Sequence, residues 1–261
     1  MNVLDEIIAH KKLEVAKRKS ERTITDLEKL PLYNARSFSL KRFLLDSNHN
    51  GIIAEFKRKS PSKGTINQVA DVVHVTEAYT KNGASALSVL TDEHFFGGSP
   101  NDLVRARVNN LPIIRKDFII DEYQIVESKA MGADAILLIA ACLSPLEVKQ
   151  LAEFAVLIGL EVLLELHDET ELEHICDKID LVGINNRNLK TFDVDIDRSL
   201  AMAAKIPSDK IKIAESGIST VENIRLFRKN GFSGFLIGEN FMKQENPGVA
   251  FEQFVTLLRS N

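Results

Sequence analysis

The sequence predicts an α/β fold, a single (β/α)8 TIM barrel with an N-terminal helical extension, on three observations. Short apolar runs alternate with longer amphipathic ones at 52–56, 86–90, 112–115, 135–140, 162–166, 181–184, 211–214 and 235–237, giving eight strand candidates. Eight such units in about 210 residues have the size of a barrel of this kind, which runs to roughly 250 residues with its extensions. Polar residues also recur at the carboxyl ends of many of these runs, and no glycine-rich dinucleotide fingerprint follows the first. An open doubly wound sheet shares the alternation but binds at one switch point, and it is the runner-up.

Residues 1–48 precede the alternation. Val3, Ile7, Ile8, Leu13 and Val15 keep part of a helical period among many Lys and Glu, which suggests an amphipathic helix on the outside or at one end of the domain. Residues 27–33 are less regular, and 37–45 read as another short helix. Within the barrel region, 51–261, each strand candidate leads into helix-start chemistry. Ser144-Pro-Leu-Glu147 places an N-cap Ser, Pro at the first helical position and Glu at N3, and Ser219-Thr-Val-Glu222 reads as a second capping box. Ser99-Pro100 and Asp121 through Gln124 follow the same logic. Gly83, Gly132, Gly159 and Gly231 fall where helices end, the position that favours Gly. No linker, low-complexity tract or second core interrupts the chain, so 1–261 reads as one domain.

Composition narrows the function classes. Hydrophobic content of 44% and charged content of 27% are those of an ordinary soluble globular protein. A net charge of −4 lacks the basic excess of a general nucleic-acid or membrane-surface binder, so neither partner is expected. The two cysteines, Cys142 and Cys176, follow no metal or redox spacing, and a reducing compartment is the default. The first residues lack the continuous apolar run of a signal peptide, and no stretch approaches the ~18 apolar residues that span a bilayer. A cytoplasmic protein is expected, a monomer or weak homodimer.

The strand ends carry the chemistry. Glu55 and Lys57 close the first strand, two residues apart and so on one face, with Phe56 opposite. Lys116 follows the third strand, Glu165 the fifth and Asn185 the sixth; Glu215 and Ser216 end the seventh, and Gly238 the eighth. Active sites of such barrels lie at that end and draw on several strands. Any one of these ionisable groups reads equally well as a salt-bridged rim residue. Five together beside a barrel interior are costly unless they pair or react. Three glutamates against two lysines leave the cluster at −1, so an anionic substrate needs a protonated glutamate or a separate anion site. Crowded carboxylates move up in pKa and support the lysines' charge, which would give an acid and a base near neutral pH.

Gly217 and Gly238, in the loops after strands seven and eight, sit where many such barrels cradle phosphate on backbone N–H groups. Residues 60–64, Ser-Pro-Ser-Lys-Gly, form a loop placed to cover the site. The six histidines show no metal-ligand pattern, and His167-Asp168 reads as βα loop, so no metal is expected. Arg115, beside Lys116, should face the helices, with no partner evident from sequence.

In chain order, IAEFKRKSPSKG, LTDEHFFGGS, IIRKDFI, LLELHDE, GINNRNL, IAESGIS and LIGENFM closely resemble the indole-3-glycerol phosphate synthase family, and the likeness covers the whole chain. The resemblance implies ring closure of 1-(2-carboxyphenylamino)-1-deoxyribulose 5-phosphate with loss of CO2 and water, without metal or organic cofactor. It implies Lys116 as the general acid on the substrate carbonyl, Lys57 on the substrate carboxylate and as a proton donor at dehydration, and Glu165 as the acid/base of the later proton removal. Glu55, Asn185, Glu215 and Ser216 would position the substrate and tune the lysines. Ser60, Gly217, Gly238 and the backbone of Glu239 would take the phosphate, with Arg187 nearby, and Phe96, Phe118, Leu137 and Leu189 would line the aryl pocket. A Schiff-base aldolase using Lys116 as nucleophile, and a barrel that only binds sugar phosphates, stay open on residues alone.

Overall fold

The computed structural model describes residues 3–61, 63–188 and 193–260. Eight parallel strands close in chain order: β1 (Ile52–Phe56), β2 (Ala86–Leu90), β3 (Ile113–Lys116), β4 (Ala135–Ile139), β5 (Glu161–Leu166), β6 (Leu181–Asn185), β7 (Ile211–Glu215) and β8 (Phe232–Ile237), with β8 pairing back onto β1. These are the eight expected runs, with ends moved by a few residues at most. Side chains alternate as the pleat requires. Ile53, Ile114, Leu137, Leu163, Ile213 and Leu236 fill the barrel interior, while Ile52, Phe56, Ile113, Ile136, Leu164 and Phe235 pack outward under the helices.

Three helices form the N-terminal extension: α1 (Val3–Glu21), α2 (Ile24–Glu28) and α3 (Leu40–Leu45). Around the barrel follow α4 (Val72–Lys81), α5 (Pro100–Ala106), α6 (Glu122–Ala130), α7 (Pro145–Leu157), α8 (Ile196–Ala203), α9 (Val221–Lys229), α10 (Glu239–Met242) and α11 (Pro247–Arg259). The expected glycines end their helices with positive φ, from 81° at Gly159 to 86° at Gly83. Ser144 and Glu147 form the expected capping box, and Ser99 and Asp121 cap α5 and α6.

Two local expectations are corrected. The box expected at Ser219 and Glu222 lies one residue on, with Thr220 and Asn223. The Asn223 carboxamide oxygen accepts from the Thr220 and Ser219 N–H groups, a role Asn fills as well as Glu, which leaves Glu222 in solvent. After β5 the helix is a 3-10 turn, Glu169–His174, because the connection from Leu166 to Leu181 is short and lacks a helical apolar stripe.

The extension runs from one end of the barrel to the other. Leu40 and Leu44 of α3 join the interior cluster and plug the floor. Ser39 caps α3 and donates to Glu161 at the start of β5 (2.6 Å), and Lys41 N–H donates to the same carboxylate (3.0 Å). At the other end, α1 lies over the strand ends. Its buried stripe is Ile7, Lys11 and Val15, spaced by four residues, whereas Leu13 is 73% exposed. Ile7 and Val15 take the buried face as their spacing implies, but Leu13 does not, because a lysine occupies the middle of the stripe.

Lys11 is fully buried, and its ammonium lies 2.9 Å from Asp92, 2.9 Å from Asp117 and 3.0 Å from Glu14. A closed circuit of ion pairs continues from there: Asp117 to Arg115 (3.0 Å), Arg115 to Glu127 (3.4 Å), Glu127 to Arg18 (3.4 Å), Arg18 to Glu14 (2.7 Å). Burial opposes the Asp117 charge, but Arg115 and Lys11 outweigh it and hold the carboxyl below the usual carboxylate range. Removing one member of a buried ion pair leaves an uncompensated charge at about 3–5 kcal/mol. Lys11→Ala is therefore expected to lower unfolding free energy by about 3 kcal/mol or more, read from the denaturant midpoint, with part recovered when Asp92→Asn is added.

Candidate active site

Strand register brings the polar ends into one layer. Glu55 pairs with Ser88, Leu90 with Lys116, Ile139 with Glu165, Glu165 with Gly183, and Asn185 with Glu215. The inward residues of this layer open into a cavity of about 300 Å³. Its walls hold Glu55, Lys57, Ser60, Phe96, Lys116, Phe118, Leu137, Glu165, Asn185, Arg187, Glu215, Ser216, Gly217, Gly238 and Glu239. Every site residue expected from sequence lies there except Leu189, which falls outside the described residues.

At the centre, the Lys116 ammonium donates to Glu165 (2.8 Å) and Glu215 (2.9 Å), reaching across the barrel to two other strands. Both carboxylates are almost wholly buried, at 4% and 1% exposure. Burial works against the Lys116 charge, but Glu165, Glu215 and Glu55 outweigh it, so the lysine is held protonated above its ordinary range. The glutamates are not equivalent. Glu165 also accepts from Asn185 Nδ2 (2.9 Å) and has His167 Nε2 2.9 Å from its Oε1. Burial pushes it up, but Lys116 and His167 hold it well below the carboxylate range. Glu215 has Lys116 on one oxygen, and Oε1 is buried with no hydrogen-bond partner. Burial carries its carboxyl to about 7 against the pull of Lys116, with Glu165 adding to the rise. Upward movement, expected for the crowded carboxylates generally, is thus confined to Glu215 within this pair.

Lys57 and Glu55 pair at 2.7 Å, as their spacing on one strand face implies, and Ser88 approaches the other Glu55 oxygen at 3.4 Å. Two glycines clear space for these carboxylates. A Cβ on Gly238 would stand 2.6 Å from Glu55 Oε1, and one on Gly183 would stand 2.0 Å from Glu215 Oε1. Gly238 was expected from its loop position, but Gly183 was not, because a glycine inside a strand names no partner.

After β7 the chain turns sharply. Ser216 has φ 65° and Gly217 φ 70°, and Ser216 is the one non-glycine with positive φ among the described residues. Such backbone costs of order 1 kcal/mol and is kept where surroundings fix it; Asn186 Nδ2 donates to the Ser216 carbonyl at 2.7 Å. Gly238 opens α10, whose first N–H groups have no intrahelical acceptor. These two turns, with Ser219 and Asn240, form one wall of the cavity. Arg187 lies 3.5 Å from Glu239 in the same wall. On another side Phe96 and Phe118 pack with ring centroids 5.9 Å apart, forming with Leu137 and Ile139 an apolar wall. Ser60 and Pro61 line the rim, as the covering loop requires, and Val3, Leu4 and Ile7 of α1 complete it.

Several contributors were missed. His167 lies two residues beyond Glu165, the spacing that joined Glu55 to Lys57, and that period was the available signal. It lies in the βα loop, as expected, but is buried there beside Glu165. Lys11, Asp92 and Asp117 pair between distant segments that nothing in their spacing connects. Arg115 does point outward, and its partners are Asp117, Glu127, Thr91, Ser128 and the Gln124 carbonyl.

The family model for indole-3-glycerol phosphate synthase matches residues 4–254. An indole-3-glycerol phosphate synthase of Bacteroides thetaiotaomicron is 50% identical over 259 residues, covering 99% of both chains. One from Polaromonas sp. is 41% identical, covering 98% of this chain and 99% of its own. Among solved structures, a mutant tryptophan synthase alpha-subunit from Pyrococcus furiosus superposes with a TM-score of 0.60 at 15% identity, covering 80% of this chain and 97% of that one. A thiamine phosphate pyrophosphorylase from the same organism gives 0.56 at 16% identity, covering 80% and 96%. These two likenesses establish the barrel alone. The family match over nearly the whole chain and the identity of the curated relatives place it further: this chain belongs to the indole-3-glycerol phosphate synthase family.

Proposed function

We propose that this cavity closes the indole ring of 1-(2-carboxyphenylamino)-1-deoxyribulose 5-phosphate, with Lys116 as general acid, Lys57 as carboxylate partner and second acid, and Glu165 as base. The observation that carries the reading is Lys116 held between Glu165 and Glu215, in one cavity with the Glu55–Lys57 pair and the two loop turns. Lys116 gives a proton to the substrate carbonyl oxygen as the aryl carbon bonds to the carbonyl carbon. The carboxylate then leaves as CO2, and its bonding pair restores the aromatic ring. The new hydroxyl departs as water with a proton from Lys57. Glu165 takes a proton from the carbon beside nitrogen, leaving the indole double bond.

The site suits each demand. The wall built from Ser216, Gly217, Gly238 and Glu239, with Ser60 at the rim, takes the phosphate. Phe96, Phe118 and Leu137 hold the aryl ring, and Asn185 and Ser216 meet the sugar hydroxyls. Folding a flexible substrate so that aryl carbon and carbonyl meet can supply roughly 7–11 kcal/mol of the barrier. Residues 1–48 and 51–261 act as one unit in this reading, since α1 both anchors through Lys11 and borders the cavity. A lysine that forms Schiff bases must lose its proton near neutral pH, and Lys116 between two carboxylates is held in the opposite state.

Mixing the purified protein with the carboxyphenylamino sugar phosphate should produce indole absorption without added metal. Lys116→Met should lower kcat by about 10²-fold or more in a protein with unchanged circular dichroism. Gly183→Ala should push the Glu215 carboxylate aside and cost about 10²-fold in turnover, measured in the same assay. Glu215 is protonated below about 7 and ionised above it. Ionisation adds a negative charge facing an anionic substrate, so apparent KM should rise as pH passes upward through about 7. Glu215→Gln should flatten that rise.

A further inference from the structure

The proton donor sits between two buried carboxylates, an arrangement that tightens its hold on the proton it must give up. An imidazole approaches one of those carboxylates at the oxygen Lys116 does not contact. His167 lines the cavity at 7% exposure, and its Nε2 is 2.9 Å from Glu165 Oε1, the oxygen that also accepts from Asn185 Nδ2; this is ion-pair distance without hydrogen-bond alignment. On its other side Glu171 Oε2 stands 3.7 Å from Nδ1 and accepts the His167 backbone N–H. Glu171 is fixed in turn by the capping box it forms with Asp168 at the start of the 3-10 turn. We propose that His167, backed by Glu171, is a positioning residue of this reaction: as an imidazolium it orients the Glu165 carboxylate and shares its charge, so that Glu165 holds Lys116 less tightly.

An opposite charge within about 4–6 Å moves a pKa by roughly 1–3 units. A cation at Glu165 Oε1 therefore offsets much of the field that this carboxylate exerts on Lys116 through Oε2. It also fixes the carboxylate so that it stays ionised and aimed when the later proton must be removed. After Lys116 has given up its proton, the imidazolium still faces the two glutamates and limits the charge left uncompensated.

The groups around His167 favour the charged ring. Glu165 on β5 and Glu171 on the 3-10 turn approach it directly, with Lys116 and Glu215 beyond Glu165. Asn185, on β6, is neutral and spends Nδ2 on Glu165. The Cys142 thiol is pushed up to about 12, by burial first and then by Glu165 and Glu171, and so stays neutral. Asp168 accepts from Thr170, and His174 directs both ring nitrogens to main-chain carbonyls, of Glu171 and Leu143. Burial lowers the His167 pKa, but Glu165 and Glu171 outweigh it and bring it to about 9. The charge is present below that value and lost as pH rises through it.

The inference rests on the roles given to Lys116 and Glu165, and the test separates the two. The pH profile of kcat is recorded between pH 6 and 10 for the wild type, His167→Gln, Glu171→Gln and Lys116→Met. The wild type should show an alkaline limb near 9. His167→Gln places a neutral N–H where the cation was; kcat should fall about ten-fold or more, KM should change little, and the limb should vanish. Glu171→Gln keeps the capping box and should move the limb about one unit toward lower pH. A His167→Gln enzyme with wild-type kcat, or with the limb intact, overturns the inference, provided that Lys116→Met is inactive. Should His167→Gln fail to fold, an unmoved limb in Glu171→Gln overturns it alone. Wild-type turnover by Lys116→Met overturns the underlying reading and this inference with it.

Discussion

The site depends on one contact, the Lys116 ammonium shared by Glu165 and Glu215. Each of the three comes from a different strand, so the contact exists only when the sheet has closed with the right stagger. Buried at a few per cent exposure, none of the carboxylates tolerates isolation. The same contact holds Lys116 protonated above its ordinary range. Closure of the fold and the protonation state of Lys116 are therefore set by one geometry.

The strand end that presents Lys116 is braced from the opposite face. Arg115, one residue earlier, points outward into the ion-pair circuit that includes Asp117, Lys11, Glu14, Arg18 and Glu127. Asp117, one residue later, also accepts the Phe118 N–H. Three successive charged residues thus serve two purposes, with Lys116 reaching Glu165 and Glu215 and its neighbours anchoring it. Because Lys11 and Arg18 belong to α1, the extension is bound to the barrel beside Lys116. Charge pairing at this junction, in place of an apolar contact, ties the position of the helix to the position of the site.

The fold was legible because parallel strands covered on both faces read as short continuous apolar runs, and Ser144, Asp121 and the helix-ending glycines mark the boundaries between them. Most of the site was legible for a related reason. Active groups of a barrel gather at one end of each strand, so position along a strand predicts position in space. That rule found Glu55, Lys57, Glu165 and Glu215 without any knowledge of who pairs with whom. It failed where the information lies between strands. Gly183 matters because Glu215 leans into the space above it, and Lys11 matters because Asp92 and Asp117 approach from elsewhere. Neither relation leaves a periodic trace. The displaced capping box at Thr220 is a smaller failure of the same kind, since two adjacent hydroxyl residues differ only in which one the backbone turns toward Asn223.

Charge bookkeeping over the strand-end cluster changes once His167 joins it. Three glutamates against two lysines left a deficit that sat badly with an anionic substrate. The charge proposed for His167 beside Glu165 removes it. The two central glutamates then divide by their surroundings. Glu165, with a lysine, a histidine and an asparagine on its oxygens, keeps its charge, whereas Glu215, with one oxygen unpartnered, is the member that a proton can reach near neutral pH. Two carboxylates of like chemistry, both within hydrogen-bond reach of one ammonium, are thereby held in different protonation ranges. The asymmetry arises from which strand carries a histidine two residues further on and which is followed by a sharp turn at Ser216.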